Sequence, residues 1–165
     1  MRPTTLAAVL LSAFCLQAPG ATAAPLAETL AGDWSCSVQE TTAEGTRDIA
    51  MTLAYRRSDA FLVGEIVEDN GAVLLDVWLD GWRDGGAAAL ALRRMISYDA
   101  TIEMQVAGET ADSLRLEGEM RHSLGSTARV REEIRFAGAD EFRAVWEADN
   151  GDGWELIMDR RCERL

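Results

Sequence analysis

The feature that most constrains this chain is the spacing of its apolar residues, which recur at every second position from about Leu30 onward. Successive side chains of a β-strand point to opposite faces, so a period of two predicts strands with one buried and one exposed face. An amphipathic helix would need a period near 3.6, and no convincing one is found in this region. The alternating apolar positions are Ile49, Met51, Leu53 and Tyr55; Phe61, Val63 and Val67; Val73, Leu75, Val77 and Leu79; Ile102, Met104 and Val106; Leu114, Leu116 and Met120; Phe142, Ala144 and Trp146; and Trp154, Leu156 and Met158.

Turn-forming residues separate these runs. Asn70-Gly71 is a strong signal for a two-residue hairpin loop, because both residue types tolerate the positive φ of a tight turn. Glycine-containing turn signals also lie at 84–86, 107–109, 138–140 and 151–153. The pattern predicts an all-β fold: a single antiparallel up-and-down β-barrel of about eight to ten strands, whose closure removes exposed strand edges.

The first residues have the features of a signal peptide. Arg2 gives a positively charged start, an apolar stretch begins at Leu6, and Ala21-Thr22-Ala23 supplies the small residues of a cleavage site. The apolar stretch is too short for a transmembrane helix, which needs about 20 residues. We therefore expect residues 1–23 to be removed, and residues 24–165 to form one domain in the periplasm or outside the cell, without stable insertion in a membrane.

The cysteines suggest a covalent link between the ends of this domain. Loss of residues 1–23 removes Cys15 and leaves Cys36 and Cys162. In an oxidising compartment such a pair predicts a disulfide bond. The alternative is two unlinked, buried thiols.

The charge balance limits the possible partners. The chain has 16 Lys and Arg against 28 Asp and Glu, a formal net charge of −12 at pH 7. Such a chain is repelled by phosphate backbones and by anionic lipid surfaces. We therefore expect no nucleic-acid partner, and the sequence does not specify a protein partner.

The two ends of the domain resemble a known superfamily. Gly32-Asp33-Trp34 opens the first strand, and Arg160 lies in the last. A Gly-x-Trp in the first strand, covered by an Arg from the last, is typical of the calycin superfamily of lipocalin-like barrels. The segment from Trp146 to Arg160 also resembles bacterial secreted calycin-like proteins of unassigned function, although its Asp-Gly-Trp turn is tighter than theirs. The resemblance implies a seam in which Arg160 covers Trp34, and an interior able to hold a small ligand; it does not fix the function.

A few residues interrupt the apolar pattern and are candidates for a ligand site. Glu65 and Arg94 each fall within an apolar phase, which places them at a polar spot inside the barrel or at its mouth. Trp78 and Trp82 cover the mouth, form an apolar outer patch, or pack in the core or at an end of the barrel. We take Arg94, Glu65 and Trp82 as candidate ligand-binding residues.

The functional hypotheses follow from what the sequence contains and lacks. The single histidine, His122, is expected at the surface, and no base, nucleophile or group of metal ligands stands out, so we expect no catalytic residue, metal or cofactor. The leading hypothesis is a non-enzymatic protein that binds a small apolar or amphipathic ligand, with a lined cavity. The first alternative is an envelope protein-binding or inhibitory module, with a filled barrel and an exposed apolar or charged surface. A weaker alternative is a hydrolase or isomerase that uses a carboxylate–arginine pair inside the barrel.

Overall fold

The structure, a computed structural model, describes residues 26–82, 88–97 and 99–165, and only the backbone for 80–82 and 88–91. The expected signal peptide and the side chain of Trp82 therefore lie outside the described residues. The elements are a short 3₁₀ helix, Leu26–Leu30, and strands β1 Gly32–Thr42, β2 Gly45–Ser58, β3 Phe61–Glu68, β4 Val73–Trp82, β5 Ala88–Ile96, β6 Ala100–Glu109, β7 Ser113–His122, β8 Thr127–Phe136, β9 Glu141–Asp149 and β10 Trp154–Arg164.

The ten strands form one closed antiparallel barrel. Each strand pairs with the next along the chain, and β10 pairs with β1 to close the ring. The predicted all-β, up-and-down barrel is thus confirmed. No helix in the described part of the chain is long and apolar enough to cross a bilayer.

The predicted disulfide bond closes this barrel at the seam between its first and last strands. Cys36 and Cys162 are direct partners in the β1–β10 register, and a disulfide joins them. The bond spans 126 positions along the chain, for which loop-closure entropy gives a stabilisation of about 5 kcal/mol.

The predicted inner faces of β3 and β4 are wrong. The buried residues of these strands are Leu62, Gly64 and Ile66 of β3 and Asp76 and Trp78 of β4, whereas the predicted phase points outward. Both strands are apolar on both faces, so periodicity alone gives two equally good phases. The register with neighbouring strands decides between them. The outward-facing residues are Phe61, Val63 and Val67 of β3 and Val73, Leu75, Val77 and Leu79 of β4.

The 3₁₀ helix closes one end of the barrel, where Trp34 anchors it. The Nε1–H of Trp34 donates to the Leu30 carbonyl at 2.8 Å, and Ala27 and Leu30 are buried. The guanidinium of Arg164 lies 4.2 Å from the Trp34 ring and donates to the carbonyls of Ala31 and Thr29, at 2.7 and 2.9 Å.

The arginine that covers Trp34 is therefore Arg164, and the expected pairing with Arg160 is wrong. The register pairs Trp34 with Arg164, and Arg160 lies opposite Val38, four residues further along β1. Arg164 also crosses the Cα of Gly32, where any Cβ would collide with the guanidinium. We call this closed end, with Trp34, Arg164 and the 3₁₀ helix, the plugged end.

Candidate functional site

Five polar side chains form a layer across the middle of the barrel. They are buried to 98% or more and come from five different strands, β2, β4, β5, β8 and β10. We call them the charged layer: Tyr55, Asp76, Arg93, Glu132 and Arg160.

Arg93 is the centre of this layer. Its Nε lies 2.9 Å from Oδ1 of Asp76, its Nη2 lies 2.7 Å from Oδ2, and its Nη1 donates to Oε2 of Glu132. Arg160 completes the layer by donating from Nη2 to Oε1 of Glu132 at 3.3 Å. Two guanidinium groups therefore balance two carboxylates, which is the condition under which buried charges are tolerated.

Two indole rings enclose the Arg93 guanidinium. Its Cζ lies 4.8 Å from the ring centroid of Trp78 and 5.6 Å from that of Trp146. Burial alone lowers the pKa of Arg93, but the adjacent Asp76 and Glu132 more than compensate and raise that pKa above its ordinary value. Trp78 thus lies completely buried inside the barrel, so the interpretation of core packing is confirmed and the alternatives of a mouth cover or an outer patch are wrong.

Tyr55 reaches the layer because the strand beside it carries a glycine. Its ring lies across Gly64, where a Cβ would come within 3.0 Å of three ring atoms, and its hydroxyl donates to Oδ2 of Asp76. Burial, and then the negative charge of Asp76, raises the pKa of the Tyr55 phenol well above its ordinary value. Tyr55 therefore remains a protonated hydrogen-bond donor to Asp76 at neutral pH.

Not every donor in this region has an acceptor. Among the described residues, three buried side-chain nitrogens lack a hydrogen-bond partner: Nε1 of Trp78, Nε1 of Trp146 and Nε of Arg160. Unpaired buried donors are uncommon in folded proteins and ask for an explanation. Trp146 and Arg160 line a cavity, and Trp78 does not.

The cavity has a volume of about 330 Å³ and lies at the end of the barrel opposite the 3₁₀ helix. We call it the open-end cavity. Trp146 and Arg160 contribute to its polar floor, and His122 is half-buried in its wall. Apolar side chains line it, including Met51, Met95, Met120, Met158, Ile66, Leu74 and Ile102, and polar ones, including Glu40, Arg47, Glu68 and Asp99, come from the strand ends around it.

Neither of the candidate ligand-binding residues whose side chains the structure describes lies at the cavity. Glu65 and Arg94 are exposed on the outer surface, and Arg94 pairs with Glu103 of the adjacent strand. Arg160, which the sequence analysis places at the seam, lines the cavity instead. The expected positions of Glu65 and Arg94 inside the barrel or at its mouth are therefore wrong. The inner position on β5 belongs to Arg93, one residue earlier, because β3–β5 bury the phase opposite to the predicted one.

Sequence reasoning did not predict the charged layer: it gave Tyr55 as part of an apolar strand face and Arg160 as a seam residue, and it did not select Asp76, Arg93 or Glu132 as site residues. Asp76 carried a usable signal, since it is an acid within the apolar run of β4 and shares a face with Trp78. Glu132 carried the same kind of signal, since at period two it stands between Val130 and Ile134 on the apolar face of β8.

The unpaired donors can bind a group that accepts hydrogen bonds, but the charged layer offers little acid–base chemistry. Asp76 and Glu132 are held by guanidinium groups, are at most 1% exposed and do not line the cavity. Within the described ranges, no three His, Cys, Asp or Glu side chains come together as a metal site.

Comparison with known proteins gives structural likenesses only. No family model matches the chain, and no curated protein matches it in sequence. The crystal structure of Rv2717c from M. tuberculosis is similar, with a TM-score of 0.60 and 10% identity over 85% of this chain and 95% of that one. An S-type phycobiliprotein lyase, CPES, from Guillardia theta has a TM-score of 0.48 and 11% identity, over 84% of this chain and 89% of that one. At such identities the likeness to Rv2717c is one of fold alone, and the likeness to the lyase is weaker still.

Proposed function

We propose that this protein is a non-enzymatic binding protein that holds a small amphipathic molecule in the open-end cavity, with the polar group of the ligand on the floor. The observation that carries the proposal is the pair of unpartnered donors, Nε of Arg160 and Nε1 of Trp146, on residues that line a cavity with apolar walls and a polar rim. A ligand that supplies an acceptor to these donors, and an apolar body to the walls, fits both features.

The energetics favour this orientation of the ligand. A buried donor without a partner costs about 1–3 kcal/mol, and an acceptor on the ligand recovers that cost on binding. Methionine side chains line the cavity, and their flexibility lets a wall adapt to an irregular apolar body. A volume of about 330 Å³ is at the small end of ligand sites, which favours a compact molecule or a short chain.

The charged layer supports binding over catalysis. An internal carboxylate–arginine arrangement does exist, as the enzyme hypothesis requires, but its carboxylates are engaged by Arg93 and Arg160 and are out of contact with the cavity. A general acid or base must come within hydrogen-bond reach of its substrate. The layer instead serves as a rigid floor that orients Arg160 and Trp146.

The cellular setting and the family belong to the same proposal. Residues 1–23 support export to the periplasm or the medium, and the disulfide bond between Cys36 and Cys162 fits an oxidising compartment. Gly32-Asp33-Trp34 in β1, covered by an arginine of the last strand, supports membership of the calycin superfamily, with Arg164 in that position.

Titration calorimetry with three ten-carbon amphiphiles tests the proposal. 1-Decanol and decanoate offer an acceptor and should bind, whereas decyltrimethylammonium has none and should bind at least about tenfold more weakly. Arg160→Met and Trp146→Phe should weaken decanoate binding, because each removes one floor donor. Arg161→Met is the matched control, since Arg161 is exposed on the outer face, and it should leave the affinity unchanged.

Two outcomes would contradict the proposal. If decyltrimethylammonium bound as tightly as decanoate and 1-decanol, or more tightly, the polar group of the ligand would lie at the acidic rim of the cavity rather than on its floor. Failure of all three amphiphiles to bind the folded wild-type protein, or unchanged decanoate binding in both floor variants, would remove the floor donors from any binding role. Trp146→Phe keeps the test decisive if Arg160→Met proves unstable, because it leaves every charge of the layer in place.

A further inference from the structure

The outer surface of β3, β4 and β5 is apolar over several adjacent positions. Phe61, Val73, Leu75 and Ile96 are each more than 40% exposed, and the apolar residues between them are partly exposed. Register places them side by side across the three strands. We call this surface the outer patch: Phe61, Val63 and Val67 of β3; Val73, Leu75, Val77 and Leu79 of β4; and Leu92 and Ile96 of β5.

The opposite side of the barrel has a different outer surface. There, ion pairs connect adjacent strands, as between Arg131 and Glu147 and between Arg143 and Asp159. A contiguous exposed apolar patch, by contrast, is typical of an interaction site. Because the barrel is closed, the patch cannot gain a partner by strand addition at an edge and must dock face to face.

The charges within the patch indicate which partner fits. Glu65 lies beside Leu75 on one row across the sheet, and Arg94 lies beside Val77 on the next row. Glu65 is on β3 and Arg94 on β5, so the acid and the base occupy diagonally opposite corners around the centre of the patch, with Cα atoms about 12 Å apart by standard strand spacings. Arg94 also pairs with Glu103 of β6 at the edge of the patch, but half of its side chain is exposed. An acid and a base in this arrangement on the three strands make the face complementary to itself.

We propose that the outer patch is the interface of a homodimer, in which a second copy of this chain docks on the first around a two-fold axis. If the axis lies in the contact plane, perpendicular to the line from Glu65 to Arg94, it places Glu65 of each copy against Arg94 of the other. Two-fold interfaces bring the same surface of both copies together, and each ion pair forms twice. The strands of the two sheets then cross at roughly 70°, near the orthogonal class of sheet packing.

The small area of the patch indicates that the dimer is weak. Three strands over four rows cover about 400 Å² per copy, against about 800 Å² in an interface of standard size. A contact of this size is typical of a weak, reversible association. This assembly is independent of what the open-end cavity binds, since the patch is on the outside of the barrel.

Sedimentation velocity between 1 and 500 µM, at 0.15 M salt, tests the proposal. The wild-type protein should shift from monomer to dimer within this range. Leu75→Arg should weaken the dimer at least about tenfold, because it places a charge at the centre of the interface twice. Leu124→Arg is the matched control, since Leu124 is fully exposed in the turn between β7 and β8, and it should dimerise as the wild type does.

A charge exchange tests the two-fold register specifically. Glu65→Arg and Arg94→Glu should each weaken dimerisation, because each sets like charges against each other, and the double variant should dimerise more tightly than either single variant. A wild-type protein that stays monomeric at 500 µM would overturn the proposal, as would a dimer insensitive to Leu75→Arg. A double variant no tighter than the single ones would overturn the register. Thermal melts confirm that each variant is folded.

Discussion

The two ends of the barrel each contain a tryptophan and an arginine, and the two pairs differ in how their donors are satisfied. At the plugged end, Trp34 donates to Leu30, and Arg164 donates to the carbonyls of Ala31 and Thr29. At the open-end cavity, Nε1 of Trp146 and Nε of Arg160 have no partner. The same residue types thus have satisfied hydrogen-bond donors at the plugged end and unsatisfied donors at the open-end cavity.

The difference teaches where to look for function in a barrel of this kind. Folded proteins satisfy nearly all of their buried polar groups, so a completed pair is expected of a structural element. The 3₁₀ helix supplies the acceptors at the plugged end, and at the cavity a ligand is the natural supplier. Between the ends, the charged layer separates the packed apolar half from the cavity.

The largest effect is expected from breaking the layer that separates the two ends. Arg93→Met leaves Asp76 without its guanidinium partner and Glu132 with Arg160 alone. Removing one partner of a buried ion pair costs about 3–5 kcal/mol. Arg94→Met, at the next residue, breaks a half-exposed pair with Glu103 and should cost less than about 1 kcal/mol. Urea unfolding of both variants measures the difference, and equal losses would show that the layer is not structural.

The packing of the two halves can be compared with the same substitution. Met104 is 1% exposed in the core, whereas Met120 is partly exposed and lines the cavity. Met104→Ala should cost about 2–5 kcal/mol by leaving a void in packed surroundings, and Met120→Ala should cost less than about 1 kcal/mol because it only enlarges an existing space. Urea unfolding again provides the measurement. A similar cost at both sites would mean that the cavity is as tightly packed as the core.

The two tryptophans allow a direct test of donor satisfaction. Trp34→Phe removes a paired donor and leaves the Leu30 carbonyl without its partner, so it should cost about 1 kcal/mol more than Trp146→Phe, which removes a donor that has none. Thermal unfolding of the ligand-free proteins gives the comparison. A larger loss for Trp146→Phe would contradict the difference between the two ends.

Tyr55 contributes a pH dependence of stability in alkali, in addition to its hydrogen bond to Asp76 at neutral pH. The folded state raises the pKa of this phenol, so its stabilisation is complete below the unfolded pKa of about 10 and is lost as the pH rises above that value. The slope contributed by one such group is about 1.4 kcal/mol per pH unit. Tyr55→Phe should flatten the fall in stability above pH 10 relative to the wild type, as followed by urea unfolding at pH 9 to 11. An unchanged alkaline slope would show that the phenol ionises freely in the folded protein.

Much of the fold was predictable because it depends on local patterns. The strand rhythm and the pairing of Cys36 with Cys162 follow from period-two alternation and from the position of the cysteines in the sequence. The candidate site was not predicted. Arg160, expected at the seam, lines the cavity, and Arg94 rather than Arg93 was expected in the interior. That expectation rested on strands that are apolar on both faces, where only register fixes the direction. Likewise, a shift of four residues along β10 decides that Arg164, not Arg160, covers Trp34.

The central claim is that a ligand supplies the missing acceptors to Arg160 and Trp146 at the open-end cavity. Native mass spectrometry tests this claim most directly. The wild-type protein and Arg160→Met are purified from the native host and measured under native and denaturing conditions. The account predicts a mass excess on the wild-type protein that disappears on denaturation and is reduced in Arg160→Met. A bare wild-type mass under native conditions, or an excess that Arg160→Met retains in full, would contradict it.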